Sequence, residues 1–218
     1  MNKFFSPIAV ALGVTLSSTL APIASASGDA KKGEAHTAVC TACHGQDGNS
    51  PMATFPKVAG LGEKYLLKQL QDIKSGARPI VEMTGLLDNL SDQDLADIAA
   101  YYNSKTTQLS GAKELQVLTN DGVEVDALAL GAKMFRGGNQ EAGIPACIGC
   151  HSPRGLGNGP AGYPRLSGQH ADYVVKQLKA FRAGERTNDG DTKIMRSIAE
   201  RMSDAEITAV ANFVSGLH

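Results

Sequence analysis

The sequence has no tryptophan, and aromatic residues make up only 5% of its 218 positions. A chain with so few large rings buries limited area per residue, which leaves room for a large apolar cofactor in its core. Cysteine is scarce as well. Its four copies are confined to two short motifs, so none is left to staple the fold. Neither sign of charge dominates. The formal net charge is −1, and no basic stripe of the kind that tracks nucleic acid is present. Beyond the first 26 residues no apolar run approaches the ~20 residues that a membrane span needs. No alternating strand pattern of any length appears either. What remains is a chain 42% hydrophobic and 20% charged, a composition that fits a soluble globular protein of one or two domains.

The first residues read as an export signal. A lone Lys3 precedes the short apolar run "IAVALGVTL" (8–16), and Ala24-Ser25-Ala26 is a small-x-small cleavage site. The reading predicts a cleaved signal peptide over 1–26. Export normally permits disulfides, so the absence of spare cysteines points to another use of sulfur. Past the leader, the charge is uneven: −4 up to Glu124 and +2 from Val125 onward. Such a dipole can orient a partner.

The chain contains two copies of one unit. "AVCTACHG" faces "PACIGCHS", "FPKVAGLGEKYLLKQLQDIKSGAR" (55–78) faces "YPRLSGQHADYVVKQLKAFRAGER" (163–186), and "MTGLLDNLSDQDLADIAAYYNS" (83–104) faces "MRSIAERMSDAEITAVANFVSG" (195–216). Two tandem domains follow, 27–107 and 126–218, joined by a polar linker over 108–125. Each reads as helical. Asp29 and Asp126 suit the N-caps of opening helices. Tyr65, Leu66, Leu70 and Ile73 form a helical apolar stripe that stops at Gly76, and Tyr173, Val174, Leu178 and Phe181 repeat it up to Gly184. Ser91 with Asp94, and Ser203 with Glu206, suit capping boxes for the last helix of each unit.

Within the first block of each unit, Cys40 and Cys43 are followed at once by His44, and Cys147 and Cys150 by His151. Residues three apart on a helical turn share a face. Each cysteine pair therefore suits two thioether bonds along one side of a haem, with the histidine next in sequence beneath the iron. Cys-x-x-Cys-His is the haem c attachment signature. A thioredoxin-type redox pair would need a strand before it, and a four-cysteine zinc site would need its two pairs ~15–20 residues apart. Neither condition is met.

The second axial position decides what a haem can do. If it is filled, the site is restricted to electron transfer, and a Met/His pair raises the potential. Of the methionines, only Met83 and Met195 correspond in the repeat, each eight residues before its capping serine. Met52 and Met134 have no matched methionine, and Met202 aligns with Leu90, a packing position. His36, His170 and His218 are not duplicated and read as surface residues. A ligating histidine needs an acceptor for its other ring nitrogen. The carbonyls of Pro56 and Pro164, 12 and 13 residues after His44 and His151, suit that role. Val58 and Leu166 are placed to pack on the ring.

These blocks resemble the periplasmic diheme cytochrome c4 family over essentially the whole mature chain. The resemblance implies an all-α fold of two tandem cytochrome c-like domains, each holding one covalent haem c through Cys40 and Cys43, or Cys147 and Cys150. It implies axial pairs His44/Met83 and His151/Met195, and haem edges that face each other across the two domains. By the same resemblance Tyr101 and Phe213 are the aromatics that pack on the opening helices, with Gly33 and Gly131 allowing the close crossing. "GGNQEAGIPA" (137–146) departs from the first unit and could reshape the exposed edge of the second haem.

The expected function is that of a monomeric periplasmic electron carrier and not an enzyme. It would take one electron per haem from a quinol–cytochrome c reductase or similar donor and pass it to a haem-copper terminal oxidase, in loose association with the membrane surface, with no nucleic-acid partner. The alternatives are an electron-transfer subunit of a periplasmic dehydrogenase and, less favoured by the matched methionines, a diheme peroxidase.

Overall fold

A computed structural model of the chain describes residues 27–218. The predicted signal peptide lies outside the described residues. The first unit contains α1 (Ala30–Glu34), α2 (Thr41–His44), α3 (Glu63–Lys74), a 3₁₀ turn (Val81–Met83) and α4 (Asp92–Asn103). The second contains α5 (Ala127–Gly137), α6 (Ile148–His151), α7 (Ala171–Arg182), α8 (Ile194–Ala199) and α9 (Asp204–Gly216). Among the described residues no helix is long and apolar enough to cross a membrane.

The helix starts lie where the side chains dictate. Asp29 accepts from the backbone N–H groups of Lys31 and Lys32, and Asp126 from that of Ala129. Ser91 with Asp94 and Ser203 with Glu206 form reciprocal capping boxes, which satisfy N–H groups that the first helical turn cannot. In each unit the opening helix crosses the last one, α1 on α4 and α5 on α9. A Cβ on Gly33 would lie 2.0 Å from the Asp97 carbonyl oxygen, and one on Gly131 would lie 2.1 Å from that of Ala209. Only glycine permits this approach. Phe213 packs at the second crossing, against Phe135 with ring centroids 5.5 Å apart. Tyr101, its repeat counterpart, instead meets Tyr102 edge-on at 5.2 Å and donates its hydroxyl hydrogen to the Gln46 carbonyl.

The structure differs from the sequence reading in the linker. Residues 108–125 contain most of an antiparallel hairpin, β1 (Gln116–Leu118) with β2 (Glu124–Asp126), which pairs Val117 with Val125. Strands of three residues are too short to show a period. The hairpin has a core of its own, where Val117 packs with Ala127, Ala205 and Ala209. Just before it, Lys113 and the Asn212 side chain exchange two hydrogen bonds of 2.8 and 2.9 Å, and Gly111 bonds to Ser215. The linker is thus strapped along α9.

The 137–146 loop is also fixed. Asn139 and Ile144 pair through their backbones, Ile144 is buried, and the Asn139 amide donates to Glu206, the capping-box residue of α9.

Candidate haem sites and the interface between them

Short helices α2 and α6 present the two motifs. In the first unit Cys40, Cys43, His44 and Met83, drawn from separate stretches of chain, line one cavity of about 410 Å³. Its walls are mostly apolar, with Val58, Leu66, Leu70 and Ile73 among them. Arg78, Lys176 and Arg186 supply positive charge to its lining, and Glu82 and Glu185 negative charge. The cavity also takes in Tyr173 and Gln177, so it reaches from the first unit to the second. In the second unit Cys147, Leu166, Val174 and Met195 pack, partly buried, against the main apolar core.

The two histidines are held in the same way. His44 Nδ1 lies 2.9 Å from the Pro56 carbonyl oxygen, and His151 Nδ1 lies 2.9 Å from that of Pro164. A carbonyl can only accept, so Nδ1 carries the proton in each case. Nε2 makes no hydrogen bond among the described residues. Burial lowers the pKa of both rings, and the proline carbonyls offset this in part. The neutral imidazole with Nε2 open is the form that binds metal.

Burial also raises the thiol pKa of Cys40 and pushes that of Cys147 up to about 11. A reactive or zinc-binding cysteine needs the opposite shift, toward thiolate. The four cysteines form no disulfide, and among the described residues no cluster of three or more His, Cys, Asp or Glu side chains could hold a metal ion. The donor set, the apolar walls and the cationic groups all fit a haem with its acidic substituents.

The other histidines divide. His36 pairs with Asp94 at 3.2 Å, and His218 is an exposed terminal residue. His170 is not the plain surface residue that the sequence suggested. It is half-buried, its Nε2 donates to the Ser50 carbonyl of the first unit at 2.8 Å, and its Nδ1 lies 3.0 Å from Ser110 Oγ in the linker. Beside it Gln169 exchanges two hydrogen bonds, of 2.9 and 2.8 Å, with the backbone of Lys57.

A second set of interface contacts repeats across a pseudo-two-fold axis. Arg78 bonds to Gln69 in its own unit and to Tyr173 and Gln177 across the interface. Arg186 bonds to Gln177 in its own unit and to Tyr65 and Gln69 across it. Burial works against the charge on Arg78, yet Tyr173, Tyr65 and Asp72 hold its pKa above the usual value. The sequence reading placed Tyr65 and Tyr173 on apolar stripes and gave Gln69, Gln177, Arg78 and Arg186 no role. The available signal was their identity in both copies at an offset of 108, and only a structure shows that each reaches into the other unit.

The sequence profile of the cytochrome c family matches residues 30–105 and 128–218, one stretch in each unit. The chain is 53% identical to cytochrome c4 of Pseudomonas aeruginosa over the whole of both chains. It superposes on the crystal structure of reduced recombinant cytochrome c4 from Pseudomonas stutzeri with a TM-score of 0.81 and 51% identity, covering 88% of this chain and 100% of that one. A thiosulfate dehydrogenase electron acceptor from Stutzerimonas stutzeri is 37% identical over 82% of this chain and 78% of its own. Two linked helical units, each with a Cys-x-x-Cys-His turn, a proline-anchored histidine and an apolar site, thus belong to a known group: the chain is a member of the cytochrome c family and, within it, of the cytochrome c4 electron carriers, which hold two covalently bound haem c groups.

Proposed function

We propose that this carrier works in the periplasm as a shuttle of a respiratory chain and donates to a haem-copper terminal oxidase. In this reading Cys40 and Cys43 attach the first haem, with His44 and Met83 as its axial ligands. Cys147 and Cys150 attach the second, with His151 and Met195. The domains are 27–107 and 126–218. The observation that carries the reading is that Cys40, Cys43, His44 and Met83 converge on one largely apolar cavity. Bound haem c supplies a one-electron ferric/ferrous couple. The protein supplies fixed ligation, exclusion of water and a docking surface. Pro56 and Pro164 hold the histidine tautomer, and the arginine interface joins the two sites through hydrogen bonds and packed side chains.

A second reading concerns the donor. A relative bears the name of an electron acceptor of thiosulfate dehydrogenase, and this chain could take its electrons from a periplasmic dehydrogenase of that kind. One experiment compares the two. The oxidised protein is mixed with purified quinol–cytochrome c reductase or with thiosulfate dehydrogenase, and the reduced protein with a haem-copper oxidase, each under stopped flow. Fast reduction by the reductase and fast oxidation by the oxidase are expected. Fast reduction by the dehydrogenase alone, without oxidase turnover, would replace the first reading with the second.

A further inference from the structure

Tyr102, on α4, is only 4% exposed, and its ring is wedged in place. It lies edge-on to Tyr101, and a Cβ on Gly48 would come within 2.8 Å of its Cδ1. Its hydroxyl is the one buried side-chain nitrogen or oxygen among the described residues that has no hydrogen-bond partner. An unmade hydrogen bond of this kind costs about 1–3 kcal/mol and calls for an explanation. The residue lines the cavity that also holds Cys40, Cys43 and His44, and it belongs to the buried cluster against which Cys40 packs. Its ionisation is resisted by burial first and by the neighbouring Cys40 next, so the phenol keeps its proton. Thr37, also beside it, donates its own hydroxyl hydrogen to the Glu34 carbonyl; its oxygen is free to accept, but the Tyr102 hydroxyl forms no hydrogen bond to it.

The second unit provides an internal control. There the counterpart of Tyr102 is Val214 and the counterpart of Thr37 is Ile144, both buried. A polar pair beside Cys40 is thus replaced by an aliphatic pair beside Cys147. The two cysteines and the proline-anchored histidine recur in both copies, while the residues between the cysteines differ, Thr41 and Ala42 against Ile148 and Gly149.

The geometry points to Tyr102 as a positioning and tuning residue of the first haem site alone, donating its phenolic hydrogen to the Cys40 sulfur once that sulfur is a thioether. This rests on the reading that Cys40 attaches haem. A thioether sulfur has lone pairs and no hydrogen, so it can only accept. Donation to it draws electron density from that edge of the site and turns the positive end of the O–H dipole toward it, which disfavours the ferric state. Hydrogen bonds to ligand and cofactor sulfur are among the protein's means of setting a potential. The second site has no such donor at this position.

The test uses the full holoprotein with Tyr102→Phe, which keeps the ring and its packing. Each haem is followed separately by its methyl NMR resonances through a redox titration. The reduction equilibrium of the first haem should shift toward the oxidised form by up to about 3- to 10-fold, because only the difference in hydrogen-bond strength between the two oxidation states counts and the worth of one neutral hydrogen bond bounds it. For a one-electron couple this is about 30–60 mV. The second haem should not move. In resonance Raman spectra the C–S stretch should shift between H₂O and D₂O in the parent and not in the variant. An unmoved first haem, equal movement of both, or a C–S band blind to deuterium would overturn the proposal. Peptide mass spectrometry keeps the two levels apart: a haem adduct on Cys40 with no shift defeats the Tyr102 proposal alone, whereas no adduct on Cys40 defeats the attachment reading itself.

Discussion

Arg78 in the first unit donates to the hydroxyl of Tyr173 in the second at 3.0 Å, and Arg186 returns the contact to Tyr65 at 3.3 Å. The two copies of the unit therefore meet face to face, as an isologous dimer does, although a single chain joins them. Each arginine is held by its own unit's glutamine and by the other's tyrosine and glutamine. This places a shared polar layer, buried at Arg78 and Gln69 and half-buried elsewhere, against the first cavity.

Removing one arm of this layer should loosen the two units from each other. Arg78→Leu takes the arginine donor from the Tyr173 hydroxyl, while Gln69 and Gln177 keep only the bonds from Arg186 and Asn188. Losing charged hydrogen bonds at a buried site costs roughly 1.5–3 kcal/mol. Calorimetry of the holoprotein should show a lower first transition and two separated melts in place of one. A single melt at the parent temperature would show that the layer does not couple the units.

The crossing glycines should tolerate no side chain. Gly131→Ala puts a methyl about 2 Å from the Ala209 carbonyl, so α5 must move off α9. Overpacking typically costs about 1–3 kcal/mol, and more where backbone must shift. Denaturant unfolding should report a loss at or above the upper end of that range. A loss below about 1 kcal/mol would mean that the crossing can relax.

The proposed axial methionines have a spectral signature. The ferric protein should show the weak red band of methionine sulfur on haem at the strength of two sites. Met83→Ala and Met195→Ala should each remove half of it and lower the potential of one haem. A full-strength band in either variant would exclude that methionine as a ligand.

His170 should make the interface sensitive to acid. Burial lowers its pKa, and Lys57 adds to this. The Ser50 carbonyl and Asp172 act in the opposite direction and do not cancel it. A histidine whose folded pKa lies below its unfolded value of about 6.5 stabilises the fold at higher pH. That stability is lost as the pH falls below the unfolded value, because the unfolded chain takes up the proton first. The melting temperature of the parent should therefore fall more between pH 7.5 and 5.5 than that of His170→Gln. Equal falls would clear His170 of the effect.

The charge asymmetry past the leader, −4 over 27–124 and +2 from Val125 onward, should appear in kinetics. Exposed charges are screened beyond about 8–10 Å at physiological salt. The second-order rate with the physiological partner should fall as ionic strength rises, and a flat profile would rule out steering.

Much of this molecule was legible in its sequence because the governing interactions are local or repeated. The capping residues Ser91 and Ser203 act within three positions. The Cys-x-x-Cys-His spacing is a single helical turn. The repeat separated Met83 and Met195 from the other methionines, and it placed Pro56 and Pro164 at matching distances from the histidines they anchor. The strands beside the linker turn were not legible, since three residues show no period.

What only the tertiary structure decided lies between elements far apart in the chain. A sequence can show that Arg78 and Arg186 recur, but not that each crosses to the opposite unit. It can show that His170 is unduplicated, but not that its ring bridges Ser50 and Ser110. It can align Tyr102 with Val214, but not reveal that the hydroxyl is buried against Cys40 without a partner. Local patterning set the helices and the haem motifs, because caps and turns are satisfied within a few residues. The packing of the two units onto each other set the interface and the difference between the sites, because burial and hydrogen-bond partnership across more than a hundred residues exist only once the chain has folded.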